Sequence, residues 1–381
     1  MKIVTAIDSF KGSMTSIEAG NAFAEGAKRV NANIEVEVRP LADGGEGTVE
    51  ALIEGMHGKR EMVTVTGPLG KQVDCVYGII EDSMTAVIEM SGAAGITLVS
   101  KSELNPLDAT TYGVGEVIKD AINKGCRRFI VGIGGSATND GGVGMLQALG
   151  YSFLDKDGKQ IALGAKGLKD LEHISNEYVI PELKECEFKV ACDVTNPLCG
   201  TEGCSAVFGP QKGATPSMIM DMDKWLSSYA SLARDMNSNA DSKYPGTGAA
   251  GGMGFAFLTF TNASLKPGID IVLEETRLEE YIKDADIVIT GEGMLDFQTA
   301  MGKAPVGVAK LAKKHSKMVV AFAGGVTADA KACNENGIDA FFPIVRGITT
   351  LDEAMNNENA KNNLADTAEQ VMRLVYSAKE V

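Results

Sequence analysis

Over residues 1–60, short apolar runs alternate with amphipathic stretches. Residues 2–7 and 34–38 carry the β-branched runs of buried strands. Residues 15–30 and 48–54 repeat apolar side chains at helical spacing. The pattern predicts β-α-β-α. From Glu61 the period drops to two. Met62-Val63-Thr64-Val65-Thr66 alternates, Gly67-Pro68-Leu69-Gly70 reads as a turn, and residues 73–80 and 85–90 complete an antiparallel meander. This change of architecture predicts a domain boundary near Arg60.

The middle region predicts a helix over 113–124, strands over 129–133 and 188–192, and an amphipathic helix over 220–236. Trp225, Tyr229 and Leu232 share one face of that last helix and read as core. After Gly268 the βα rhythm returns. Strands are expected over 285–290, 318–323 and 341–345. Helices are expected over 305–315, with Pro305 in the first turn, and over most of 351–377. Neither end has enough strands for a sheet alone. Two strands from the start and three from the end make a five-stranded parallel sheet covered by helices. The expected fold is therefore α/β. A discontinuous Rossmann-like parallel-sheet domain (1–60 plus 269–381) carries a second mixed α/β domain (61–268) as an insertion.

Composition narrows the function classes. A chain of 381 residues has room for two full cores. Its 44 glycines gather in loops and form no repeat, which suits backbone that approaches a ligand closely. The net charge of −15 comes without a basic stripe, which argues against nucleic acid. An acidic protein that binds an anion does so with local lysines, backbone N–H groups and a divalent metal. Seven scattered cysteines with no C-x-x-C pair read as reduced thiols of the cytosol. The first apolar run meets Asp8 and Lys11 at once, and no apolar stretch reaches transmembrane length. A cytoplasmic protein without a membrane partner is expected. No sequence feature decides oligomeric state, so a homo-oligomer stays open.

Candidate chemistry begins in Ile7-Asp8-Ser9-Phe10-Lys11-Gly12-Ser13, directly behind the first strand. Open α/β sheets bind ligands at the carboxyl ends of their strands, and a lysine near a helix start suits phosphate. The same residues also read as a helix start: Ser13 or Thr15 as N-cap, Glu18 as capping-box acid, Lys11 in solvent. On this loop alone the two readings stand level. Asp43, Asp193, the pair Glu292 and Asp296, and Asp140 occupy comparable glycine-flanked loops behind other strands. Any one of them is more often a turn or cap former. Five together imply a cleft lined by carboxylates and N–H groups, and Lys11, Lys212 and Lys303 join them. That mixture suits Mg-nucleotide phosphoryl transfer, where positioning and charge neutralisation supply most of the rate.

Other motifs fail. Gly132-x-Gly134-x-x-Ala137 mimics a dinucleotide fingerprint, but Asn139 and Asp140 crowd the pyrophosphate position. Gly246-x-Gly248-x-x-Gly251 follows no predicted strand. Gly302-Lys303 lacks the hydroxyl residue and the first glycine of a P-loop, with Ala304 and Phe297 in their places. There is no Gly-x-Ser-x-Gly elbow. His57, His173 and His315 are dispersed and read as structural or surface residues.

The motifs Asp8-Ser9-Phe10-Lys11-Gly12-Ser13, Ala42-Asp43-Gly44-Gly45-Glu46-Gly47, Gly134 to Gly142, Asp193-Val194-Thr195-Asn196-Pro197-Leu198, Gly209-Pro210-Gln211-Lys212-Gly213-Ala214 and Gly291-Glu292-Gly293 together resemble the type I bacterial glycerate kinase family. The likeness runs from Lys2 to the last helix, with the motifs in the same order. It implies ATP and Mg²⁺ as cofactors and D-glycerate as substrate. It favours 2-phosphoglycerate over 3-phosphoglycerate as product, and implies an active site in the cleft between two domains. On this basis Asp193 is the first choice of general base and Asp8 the second. Lys11, with Ser9 and the N–H groups at Gly12 and Ser13, takes an anionic group. Glu292 and Asp296 are the Mg²⁺ candidates. Asp43, Gly44, Gly45, Ser136, Asn139 and Asp140 shape the cleft, Lys212 pairs with the substrate carboxylate, and Asn196 and Lys303 complete the set. Met294 and Phe297 depart from the residues common in the family. Two alternatives remain on the residues alone. An NAD-dependent hydroxy-acid dehydrogenase would need a genuine fingerprint. A non-catalytic sugar-acid binding protein would not need so many carboxylates facing an anion.

Overall fold

The computed structural model describes residues 1–42 and 47–379. The chain separates into two compact units, residues 1–43, 50–56 and 269–381 in the first, and 44–49 and 57–268 in the second. Strands β1 (Lys2–Ile7) and β2 (Glu35–Pro40) come first. They are followed by β3 (Lys59–Thr66), β4 (Gln72–Ile80), β5 (Thr85–Glu89) and β6 (Arg128–Gly132). A short antiparallel ribbon of β7 (Ser152–Leu154) and β8 (His173–Ser175) precedes β9 (Glu187–Ala191) and β10 (Ala263–Lys266). The last strands are β11 (Ile287–Leu295), β12 (Met318–Val326) and β13 (Ala340–Pro343).

The first unit holds a parallel sheet in the order β13-β12-β11-β1-β2. Two N-terminal strands thus join three C-terminal ones, as the strand count required. β1 and β11 lie inside the sheet because their apolar runs are buried on both faces. Ile3, Val4, Ile7, Val288 and Ile289 are all inaccessible to solvent. The helix Ser16–Val30 covers the sheet through Phe23, whose ring meets Phe322 edge-on at 5.5 Å. Its start is a capping box. Thr15 Oγ1 accepts from the Glu18 N–H at 3.2 Å, and Glu18 Oε2 accepts from the Thr15 N–H at 2.9 Å.

β11 is longer than the sequence pattern predicts. The expected strand ends at Thr290, because Gly291-Glu292-Gly293 reads as a loop. In the structure the ladder with β12 continues, pairing Gly291 with Phe322 and Met294 with Gly325. Gly291 permits this close approach: a Cβ there would lie 2.0 Å from the Phe322 carbonyl oxygen. Glu292 is therefore held on a strand extension.

The second unit carries a mixed sheet in the order β10-β9-β6-β5-β4-β3. β3, β4 and β5 form the expected antiparallel meander, and the remaining pairs are parallel. Phe129 and Phe188 stack at 4.7 Å between neighbouring strands. The helix Pro216–Met236 buries Met222, Leu226, Tyr229 and Ala233, a spacing of three to four residues. Trp225 and Leu232 pack half-buried beside this stripe. The helix Ala249–Phe260 starts with three successive left-handed residues, Ala250, Gly251 and Gly252. Gly251 must be glycine on two counts, since a Cβ would also lie 2.1 Å from the Thr138 carbonyl. Among the described residues no helix is long and apolar enough to cross a membrane.

Candidate active site

In the first unit a cavity of about 430 Å³ opens at the carboxyl ends of β1, β11 and β12. It gathers Asp8, Ser9, Lys11, Ser13, Glu292, Asp296 and Lys303, which are distant in sequence. The register explains this. β1 and β11 are adjacent and parallel, so residues that follow Ile7 and those that follow Thr290 emerge at the same edge. The Asp8 N–H bonds the Gly291 carbonyl at 2.8 Å, which holds the loop to β11. Asp8 is buried and its Oδ1 accepts from the Ser9 N–H at 2.7 Å.

Thr15 takes the cap, so Ser13 does not. The Ser13 Oγ is instead buried with no hydrogen-bond partner, in a residue that lines the cavity. A buried hydroxyl left unpaired costs free energy unless a ligand or water completes it.

Glu292 and Asp296 share one hydroxyl. Thr299 Oγ1 lies 2.5 Å from Glu292 Oε1 and 3.4 Å from Asp296 Oδ1, and Asp296 also accepts the Thr299 N–H at 3.1 Å as N-cap of Phe297–Ala300. Among the described residues no three His, Cys, Asp or Glu side chains converge as a complete metal cage. Mg²⁺ takes most of its ligands from water and phosphate, so two carboxylates tethered in this way fit such an ion without a full protein cage.

The second unit has its own cavity, of about 360 Å³, lined by Gly134, Ser136, Asp193, Gln211, Lys212 and Ala250, among others. Lys212 is only 1% exposed. Its Nζ donates to Ser136 Oγ at 2.7 Å and to the Thr138 carbonyl at 2.6 Å, both neutral groups. Burial pushes the ammonium down to about 8, against the pull of Cys204 and Asp140. At neutral pH it is still mostly charged, and a buried cation held by neutral acceptors favours an anion. Asp193 follows β9 and is exposed. Its Oδ1 accepts the Gly268 N–H at 3.0 Å, a backbone contact that orients the carboxylate.

The Lys212 titration has a direct consequence. Below pH about 8 the amine is protonated and attracts an anion; above it the proton and the attraction are lost. The kcat/KM for an acid bound there is expected to fall toward tenfold per pH unit above about 8. A rate profile that stays flat through pH about 9.5 would remove Lys212 from acid binding.

Other expected residues lie elsewhere. Asn139 and Asp140 are fully buried and do not line the cavity. Asp140 Oδ2 accepts from the Thr111 N–H at 2.8 Å and the Thr111 hydroxyl at 2.9 Å, and its Oδ1 accepts from the Gly142 N–H at 3.1 Å. Burial still pushes its carboxyl up. Asn139 donates to Ser205 Oγ at 2.8 Å. Both hold the loop that presents Ser136. Asn196 donates to the Glu202 carbonyl at 2.8 Å, bracing its own loop. Gly12 has φ +78 and no side chain to offer the cavity. Asp43, Gly44 and Gly45 lie outside the described residues. The sequence reading missed Leu351, Met355 and Asn363, which line the first cavity from two helices. Nothing in their helical spacing marks them as ligand-facing.

The comparisons with known proteins agree along the whole chain. A family model described as the glycerate kinase family matches residues 3–376. A glycerate kinase of Haemophilus influenzae is 46% identical, over 98% of this chain and 99% of that protein. A glycerate 2-kinase of Escherichia coli is 45% identical, over 98% of this chain and 99% of that one. A solved structure described as a glycerate kinase 2 from Salmonella typhimurium LT2 superposes with a TM-score of 0.93. It is 45% identical, and the match covers 100% of both chains.

Proposed function

The chain belongs to the glycerate kinase family, and from that premise we propose that it transfers the γ-phosphoryl group of ATP to the 2-hydroxyl of D-glycerate with Mg²⁺ as cofactor. The observation that carries this reading is the convergence of Asp8, Lys11, Glu292, Asp296 and Lys303 on one cavity at the ends of parallel strands. Family membership disfavours the hydroxy-acid dehydrogenase and the non-catalytic binding protein.

In this reading the first unit holds the nucleotide. Lys11 and Lys303 bind phosphate oxygens and take up charge as the γ-phosphoryl group moves. The Ser13 hydroxyl supplies a further donor. Glu292 and Asp296 would hold Mg²⁺, which when bound would neutralise phosphate charge. The second unit holds the acid: Lys212 binds the carboxylate of glycerate, and Ser136 fixes Lys212. Asp193 accepts the hydroxyl proton as the O–P bond forms and the β–γ bridge oxygen leaves with ADP. Asp8 is the second candidate for that proton. A cytoplasmic setting suits the seven cysteines, all of them free thiols.

The test is a coupled assay with ATP, Mg²⁺ and D-glycerate, with the phosphate position read by NMR. ADP release that depends on glycerate and stops on chelation, with phosphate on O2, is the expected result. No release above background would overturn the reading. Phosphate on O3 would replace the product assignment alone.

A further inference from the structure

We propose that the apolar part of the first unit's cavity seats the nucleotide base, with Met294, Leu351 and Met355 as the surface it lies on. This rests on the reading that the first unit holds the nucleotide.

The lining divides by chemistry. The loop after β1, the end of β11 and residue 303 supply the charged and hydroxyl groups. The segment after β13 and the helices Leu351–Met355 and Asn357–Lys379 supply Ile344, Val345, Leu351, Ala354, Met355 and Asn363. Only the last of those six carries a polar side chain. A nucleotide has the same division, a charged phosphate chain and a flat, largely apolar base.

Size points the same way. At about 430 Å³ the cavity lies within the range of pockets that enclose nucleoside-sized ligands. Exposure is the third observation. Met294, Leu351 and Met355 are 49%, 76% and 37% exposed, yet all three line one concavity. Scattered apolar side chains on a surface need no account, whereas a concave group of them marks a binding surface.

Met294 is placed by β11. It is paired with Gly325 on β12, and its sulfur and terminal methyl fill the space above that glycine, 2.9 and 2.7 Å from where a Cβ would stand. The Met355 methyl closes similarly over Gly12, at 2.9 Å. Methionine suits a flat aromatic ligand, because its thioether is polarizable and adapts to a ring face or edge.

The experiment uses the full chain and the variants Met294→Ala and Leu351→Ala. Both side chains are well exposed, so truncation spares the core. Three quantities are measured for each: KM for ATP, inhibition by ADP, and inhibition by inorganic tripolyphosphate, which has the phosphates without the base. The expected result is a rise of about tenfold in KM for ATP and in the inhibition constant of ADP. Tripolyphosphate inhibition and KM for glycerate should move by less than about twofold, since neither ligand contacts the apolar wall. An equal loss for ADP and tripolyphosphate, or no loss for ATP, would overturn the base assignment while glycerate-dependent turnover of the wild type upheld the kinase reading. A wild type that releases no ADP from ATP with glycerate would overturn both.

Discussion

Lys212→Met is expected to raise the KM for glycerate roughly 100-fold or more, with the KM for ATP changed by less than about twofold. The cause is the setting of the ammonium. It is almost wholly buried, and its two hydrogen bonds go to a serine hydroxyl and a backbone carbonyl. Neither partner carries charge, so desolvation of the ammonium is offset only in part. An incoming carboxylate supplies the missing charge. Methionine keeps the apolar stem and removes that charge without leaving an unpaired ion. It does leave the Ser136 hydroxyl and the Thr138 carbonyl short of a donor, at a cost of about 1–3 kcal/mol in stability. Thermal unfolding measured beside the kinetics separates the two effects. If both Michaelis constants rose together, or if neither did, Lys212 would be a structural residue of the second unit.

Asp193→Asn should lower kcat by roughly 100- to 10,000-fold while both Michaelis constants stay near the wild-type values. Asparagine keeps the side-chain oxygen that accepts the Gly268 N–H at 3.0 Å, so the group stays oriented. What it loses is the capacity to take a proton. The parallel variant Asp8→Asn discriminates between the candidates. A large kcat loss in Asp8→Asn beside a nearly normal Asp193→Asn would transfer the base to the first unit. A loss confined to KM in Asp193→Asn would make that residue a substrate contact only.

Much of the architecture was legible along the chain because strand and helix periodicities are local. The antiparallel meander of β3, β4 and β5 and the capping acid Glu18 both follow from local sequence alone. The parallel sheet of β1 and β2 with the three C-terminal strands followed from a count: neither end could form a sheet alone. The end of β11 is not legible locally, because Gly-Glu-Gly looks like a loop in every local respect. Its extended pairing depends on the Phe322 backbone, some thirty residues away, lying close enough to exclude a side chain at Gly291.

The candidate site was legible as a set of loops and not as a set of side chains. Asp140 and Asp193 both follow strands and both sit beside small or polar residues. Asp140 is drawn into the core by Thr111 and by the N–H groups of its own loop, whereas Asp193 stays exposed on the anchor of Gly268. Ser13 and Thr15 are equivalent caps by residue type; the turn that pairs Phe10 with Met14 takes up Ser13 and leaves Thr15 at the helix start.

The sequence by itself determined the α/β class, the order of elements and the family, along with the strand ends where charged residues collect. These depend on residue spacing, which backbone geometry reads over a few positions. The tertiary structure alone decided which of those charges line a cavity, that Lys212 is a buried cation, and that Met294, Leu351 and Met355 share one wall. Burial and contact are made by residues far apart in the chain, so no local pattern encodes them.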